Sequence, residues 1–292
     1  MSHLLSNLLF DVADRNVAIT GASSGLGRML AKGFTANGAN TILIDIDEKG
    51  LAVTKAELED ITRSLGKSPT NIITICGDLG SEIGVQSVIN QVKTTISSLD
   101  VLIQCAAVRY MNKIPYTHGQ DLQSLENATG SLSYSELESA FRVNVFAPYF
   151  LTAGLLTLLG KAAAKGDGRG CVILFSSPAS VHNHQFVPAY QLTKASIDHM
   201  VRIMAMEFSD FYIRVNAISP GIFPSAMTDP TDPESNFHLA KATPAGRAGD
   251  EGDIVGTALW LASKAGSFMD GKVVRVEGGR LLVLKGVTTN SD

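Results

Sequence analysis

The sequence predicts an α/β fold in which a doubly wound parallel sheet is flanked by helices. Three observations predict it. Over the first hundred or so residues, short apolar runs of strand length alternate with longer segments of helical periodicity. The first run, Val17 to Thr20, passes directly into a glycine-rich turn and then into helical Arg28 to Ala36. No short-period repeat or low-complexity tract interrupts the alternation. Strands separated by helices pair in parallel through right-handed crossovers. At 292 residues, with 45% hydrophobic and 18% charged side chains, the chain reads as one domain over residues 1–292, with its core at about 11–279.

Charge and cysteine usage narrow the partners. A formal net charge of −4 with no basic block argues against nucleic acid or an anionic membrane surface. Cys76, Cys105 and Cys171 each sit in or beside an apolar run read as a buried strand, which points to a reduced, cytoplasmic chain without disulfides. Leu4 to Phe10 is short, is soon followed by Asp11 and Asp14, and has no basic flank or small-residue cleavage site, so neither a signal peptide nor a membrane span is expected. No metal ligands are assigned.

Gly21-Ala22-Ser23-Ser24-Gly25-Leu26-Gly27 follows the first strand. A strand, a glycine turn and a helix in that order are what a dinucleotide site requires. Gly21 permits the tight turn, Gly25 lets backbone N–H groups approach a pyrophosphate, and Gly27 lets the helix pack closely on the sheet, with the helix N-terminus supplying a favourable field. The second run, Thr41 to Ile44, ends at Asp45. A carboxylate there can accept from both ribose hydroxyls and repels a 2′-phosphate, and no basic residue stands at Ser24 or Ile46 to reverse the preference, so NAD is favoured over NADP. The competing role for Asp45 is to cap the following turn with Asp47 and Glu48. Further runs, Ile72 to Cys76 and Val101 to Gln104, lead to Gly77-Asp78-Leu79 and Cys105-Ala106-Ala107, with helical segments at about Lys49 to Leu65 and Glu82 to Ser98 between them. Asp78 is placed to accept from an adenine amino group.

The chemistry-bearing stretch runs from Ser176-Ser177 to Lys194. Tyr190 and Lys194 lie at i and i+4, so on a helix they share a face and the ammonium reaches beneath the phenol, where it stabilises the ionised ring. Ser177 follows the apolar run Cys171 to Phe175 and so emerges at the carboxyl end of a strand.

Taken together, Thr20 to Gly27, Asp45, Asp78, Asn144, Ser177, Tyr190, Lys194 and Pro220-Gly221 resemble the short-chain dehydrogenase/reductase superfamily in order and spacing, over about Asp11 to Gly279. The resemblance implies a Rossmann-type domain with a seven-stranded parallel sheet and an Asn, Ser, Tyr, Lys active site. Asn144 takes the asparagine that holds a water beside the lysine; Ser177 and Tyr190 take the serine and the acid/base tyrosine; Lys194 takes the lysine that binds the nicotinamide ribose and eases the tyrosine's ionisation. Dinucleotide contacts carry over to Gly21, Ser23, Ser24, Gly25, Leu26 and Gly27, to Asp45, Asp78 and Leu79, to Cys105 and Ala106, and to Pro220, Gly221, Ile222 and Ser225. Two departures stand out. Gln104-Cys105-Ala106-Ala107 replaces the usual N-N-A-G, so an alanine should crowd the backbone beside the cofactor. Val108 to Ser133 is a longer polar, irregular stretch than usual, which shapes the substrate entrance or a subunit contact, or is a surface excursion.

Further along, Val145 to Leu159 and Leu192 to Phe208 read as helices more apolar than one buried face needs, and within the family their counterparts pair across subunits, so a homodimer or homotetramer is expected. Arg214 to Ser219 and Lys272 to Val276 read as strands and Asp250 to Ser263 as a helix. Ile222 to Ala248, with Pro224, Pro230, Pro233 and Pro244, resembles the family's mobile substrate lid. His182 and His184 either line the pocket or are loop residues. The resemblance implies a nicotinamide-dependent oxidoreductase interconverting a small-molecule secondary alcohol and a ketone. A non-redox isomerase, dehydratase or cyclase on the same scaffold and a catalytically silent dinucleotide-binding protein are the alternatives.

Overall fold

The computed structural model describes residues 4–66, 70–183, 187–232 and 235–284. Seven parallel strands form one sheet in the order β3-β2-β1-β4-β5-β6-β7. They are β1 (Asn16–Thr20), β2 (Asn40–Asp45), β3 (Ile72–Cys76), β4 (Val101–Gln104), β5 (Cys171–Phe175), β6 (Arg214–Pro220) and β7 (Val273–Val276). The strand order reverses between β1 and β4, where Thr20 lies beside Ile44 on one side and Gln104 on the other. That reversal opens a crevice at the carboxyl ends of the strands, the usual place for a ligand in this architecture. The doubly wound fold read from the sequence is therefore the fold observed.

The helices are α1 (Ser6–Leu9), α2 (Gly25–Ala36), α3 (Glu48–Ser64), α4 (Glu82–Thr95), α5 (Leu122–Thr129), α6 (Tyr134–Phe141), α7 (Ala147–Ala163), α8 (Pro188–Glu207), α9 (Glu251–Ala262) and α10 (Arg280–Val283). Each face of the sheet has its own core. Leu30 and Phe34 of α2, Leu58 of α3 and Ile254 and Leu261 of α9 pack on one face. Ile89 of α4, Leu151 and Leu155 of α7 and Val201 of α8 pack on the other. Because β5 and β6 are covered on both faces, every residue in them is buried, and β5 accordingly reads as an unbroken apolar run.

Several boundaries and burials differ from the sequence reading. Val108 to Ser133 is not wholly irregular, because α5 lies within it, started by Asp121 accepting from the Ser124 amide at 2.7 Å. Only Ala128 of α5 is buried, so no apolar stripe announces the helix. The helix expected from Val145 begins earlier, at Tyr134, and runs 30 residues to Ala163 through a π-helical turn at Arg142–Phe146. That run is long and apolar enough to cross a bilayer, yet its α7 part buries nine residues, among them Leu151, Leu155 and Leu159. The lid stretch holds a 3₁₀ segment, Asn236–Ala242, and its base is closed by the Gly249 amide donating to the Ile222 carbonyl at 2.9 Å. Cys76 is exposed and Cys105 only half-buried, whereas Cys171 is buried as expected; all three are free thiols. Cys76 ends β3, the edge strand, where one face is uncovered. His184, Pro233 and the tail after Leu284 lie outside the described residues.

The amino ends of the strands are closed by guanidinium groups. Arg214, at the start of β6, is buried and donates to the carbonyls of Gly168, Leu261, Gly266 and Met269 at 2.6–3.1 Å. Arg15, also buried, donates to the carbonyls of Ala262 and Asp167, each at 2.8 Å. These clamps gather the loops before β5 and after α9. Arg214→Met keeps the apolar stem and strands those carbonyls, and should lower stability by about 3 kcal/mol, read as a fall in the urea midpoint with an unchanged denaturant slope.

Candidate active site

The glycine turn is built as its spacing requires. Gly21 has φ of +71°, the left-handed region, and a Cβ there would lie 2.9 Å from the Ala106 amide nitrogen. A Cβ on Gly27 would fall 2.1 Å from the Gly21 carbonyl oxygen, so no side chain fits where α2 leaves the turn. The start of α2 differs from its neighbours. α3, α4, α6 and α9 are each capped by a side chain, from Asp47, Ser81, Ser133 and Asp250 respectively. Ser24 begins α2 with no such bond, which leaves the first-turn N–H groups available to an anion.

A groove of about 400 Å³ runs along the carboxyl ends of the strands in front of this turn. Gly21, Ser23, Ser24, Gly25, Leu26 and Gly27 form one wall, and Asp45, Asp78, Leu79, Cys105 and Ala106 continue it. Tyr190, Lys194, Pro220 and Ser225 close the far end. Asp45 caps the turn: one carboxylate oxygen accepts from the Ser23 amide at 3.0 Å and the other from the Asp47 amide at 3.1 Å. Asp78 accepts from the Gly80 amide at 2.8 Å. The uncapped helix start, the side-chain-free turn and the acidic wall fit a dinucleotide, with Lys194 the one basic residue lining the groove among the described residues.

The Gln104 amide nitrogen is taken up by the fold, while its Oε1 is buried without a partner among the described residues. Gln104 is buried and turns its amide away from the groove, donating to Thr152 Oγ1 at 2.7 Å and to the Pro148 carbonyl at 3.1 Å on α7. Ala106 takes the Thr20 hydroxyl through its amide at 3.1 Å. Ala107 lies outside the left-handed region, so the expected crowding has no conformational source there. Burial pushes the Cys105 thiol up to about 12, which keeps it protonated beside the groove.

Next to the groove, Ser177 and Tyr190 line a second, smaller cavity of about 130 Å³. Tyr190 borders both spaces. Pro188 at the first position of α8 sets the helix start, so Tyr190 sits in its first turn with Lys194 one turn on. Lys194 is 3% exposed; its ammonium donates to the Phe175 carbonyl at 2.7 Å and lies 5.4 Å from the Tyr190 ring centroid. Ser177 is extended and its hydroxyl accepts from the Ala179 amide at 3.2 Å. Asn144 lies in the π-helical turn, buried, and lines neither space. Its amide nitrogen donates to the Val108 carbonyl at 2.9 Å and to Thr193 Oγ1 at 3.1 Å, and its oxygen accepts from the Val108 amide at 2.8 Å. Thr193 in turn donates to the Tyr190 carbonyl at 2.9 Å.

Gly221 and Ile222 line the smaller cavity, next to the groove. Pro220 lines both spaces, and β6 ends at it, so the chain has already turned away from the groove at the next residue. His182 is buried in the cavity wall. Residues that spacing did not single out also appear. Arg109 and Arg280 line the cavity, and Asp198 of α8 accepts from the Ser176 hydroxyl beside Ser177.

Burial raises the Asp198 pKa above the ordinary carboxylate value, with hydrogen bonds from Ser176 and Ser180 opposing the rise. An unfolded aspartate loses its proton near pH ~3.9, while the native state holds this one to higher pH. Native protein therefore binds more protons in that window, and the stability associated with Asp198 falls as pH rises through it. Asp198→Asn, which keeps an acceptor for Ser176, should gain on wild type in urea midpoint as pH rises from 4 to 7; parallel curves would refute the assignment.

A family model described as enoyl-(acyl carrier protein) reductase matches residues 21–280. Short-chain dehydrogenase/reductase PhomF′ of Diaporthe leptostromiformis is 31% identical, over 96% of this chain and 96% of its own. The 5-keto-D-gluconate 5-reductase of Escherichia coli is 28% identical, over 95% of this chain and 100% of its own. Among solved structures, the RhlG/NADP active-site complex of Pseudomonas aeruginosa has a TM-score of 0.79 at 27% identity, covering 93% of this chain and 98% of that one. On the family match over residues 21–280, the 31% identity to PhomF′ and the shared fold, the chain belongs to the short-chain dehydrogenase/reductase superfamily and is a nicotinamide-dinucleotide-dependent oxidoreductase.

Proposed function

We propose that this chain interconverts a secondary alcohol and a ketone, preferring NAD(H), with Tyr190 as the general acid and base. The observation that carries the reading is that Tyr190 borders both the groove and the smaller cavity while a buried ammonium faces its ring. When bound, the dinucleotide supplies hydride to the carbonyl carbon, or accepts it in the oxidising direction. The first turn of α2 holds the pyrophosphate, and Asp45 the adenosine ribose. Ser177 and Tyr190 donate hydrogen bonds to the substrate oxygen. Tyr190 gives up its proton as negative charge develops on that oxygen, and Lys194 stabilises the phenolate left behind. Asn144 braces this turn through Thr193, and with Lys194 it forms the inner end of the path that returns a proton to Tyr190. Holding both ligands against one another contributes through orientation.

The preference for NAD rests on charge. The groove wall carries Asp45 and Asp78, and its one basic residue among the described residues, Lys194, lies beside Tyr190 at the opposite end. RhlG, a relative solved with NADP, sets the competing expectation. The exposed Phe146, Tyr149 and Phe150 at the start of α7 and Leu192, Ile203 and Met206 of α8 support a homodimer or homotetramer, and the free thiols a cytoplasmic setting.

Tyr190→Phe should lower turnover by about 10²-fold or more while the dissociation constant for NADH, followed by fluorescence titration, stays within about threefold; wild-type-like turnover would refute the role. Asp45→Ala should shift the ratio of kcat/KM for NAD over NADP by about tenfold, about 1.4 kcal/mol, towards NADP. A wild type that prefers NADP would overturn the charge argument.

A further inference from the structure

The smaller cavity holds an imbalance that alcohol–ketone chemistry does not use. Arg109, just after β4, and Arg280, at the start of α10, line the same cavity as Ser177 and Tyr190. Among the described residues, no aspartate or glutamate lines it. Arg109 spends one guanidinium N–H on the Met227 carbonyl, at 2.6 Å. A guanidinium offers five donors, and the others on Arg109 have no partner among the described residues.

Arg280 is freer still. It is half-buried, and among the described residues its guanidinium donates to nothing. Loss of hydration lowers its pKa below the ordinary arginine value, with Glu277 opposing from nearby. The Glu277 carboxylate is partly engaged, accepting from the Leu281 amide at 2.8 Å. A partly desolvated guanidinium with no carboxylate hydrogen-bonded to it among the described residues is costly to hold, and carboxylates are the partners its planar fork matches best.

We infer that the substrate carries a carboxylate as well as the reacting carbonyl, with Arg109 and Arg280 gripping the carboxylate while Ser177 and Tyr190 hold the carbonyl oxygen. The substrate class is thus an oxo acid and the corresponding hydroxy acid. This inference rests on the redox reading above, and it adds a feature that reading does not need, since a neutral ketone satisfies Ser177 and Tyr190 alone. Arg109 has a second effect: its bond to Met227 fixes the lid against the segment after β4, so the gripping group also shapes the entrance.

The test compares oxo acids with their own methyl esters, which keep the ketone and remove the charge: 3-oxobutanoate, 4-oxopentanoate and 5-oxohexanoate against the three esters. Binding to the NAD-saturated enzyme is measured by calorimetry, without need of turnover. At least one acid should bind wild type about tenfold or more tighter than its ester. Arg280→Gln should erase that advantage, leaving the ester's affinity unchanged. Arg109→Gln should also erase the difference between acid and ester, and Arg109→Lys, which keeps a cation and a donor for Met227, should restore part of it. Acid and ester binding alike, an acid preference that survives the Arg109→Gln, Arg280→Gln double variant, or no acid binding at all would each overturn the inference. NADH oxidation is followed with the same compounds. Acids that bind preferentially and are never reduced would sink the redox reading and leave the carboxylate site standing. Esters reduced as efficiently as acids would do the opposite.

Discussion

The site depends on one bond, from the buried Lys194 ammonium to the Phe175 carbonyl. An ammonium so far from water must find an acceptor, and the acceptor it finds is the last residue of β5, immediately before Ser176 and Ser177. Satisfying the charge therefore also sets the distance between the helix that carries the tyrosine and the strand end that carries the serine. One turn further along α8, Asp198 takes the Ser176 hydroxyl. Two successive turns of α8 are thus tied to the end of one strand, and the first turn, with Tyr190, is steadied from the other side by Thr193 and Asn144.

Around that fixed pair the charges are sorted in space. The uncapped start of α2 presents N–H groups at the middle of the groove, Asp45 and Asp78 line the groove beyond it, and the arginines gather in the cavity past Tyr190. The sheet makes this sorting possible, because parallel strands bring all their carboxyl ends to one edge and the clamps of Arg15 and Arg214 hold the opposite edge shut.

What was legible in the sequence was local in kind. The glycine turn, Asp45 at the end of β2 and the i, i+4 pair of Tyr190 and Lys194 each lie within one element or one strand-to-helix junction, so spacing alone implies their geometry. The resemblance supplied the rest of the frame, including the role of Asn144. What spacing missed was made by contacts between distant segments. Arg109 and Arg280 meet only because β4 and β7 both end near the same cavity, and nothing in either local sequence marks it. Asp198 faces a serine 22 residues before it in the chain. Helix α5 escaped notice because it buries a single alanine.

Met227 belongs to the walls of both the groove and the cavity. A wall common to two ligands makes their affinities reciprocal: whatever free energy one occupant contributes by setting that wall for the other is returned in equal measure when the order is exchanged. The dissociation constant of either ligand alone then describes a different equilibrium from the one present during turnover, and Arg109, by gripping the backbone of that shared residue, helps set the size of the difference.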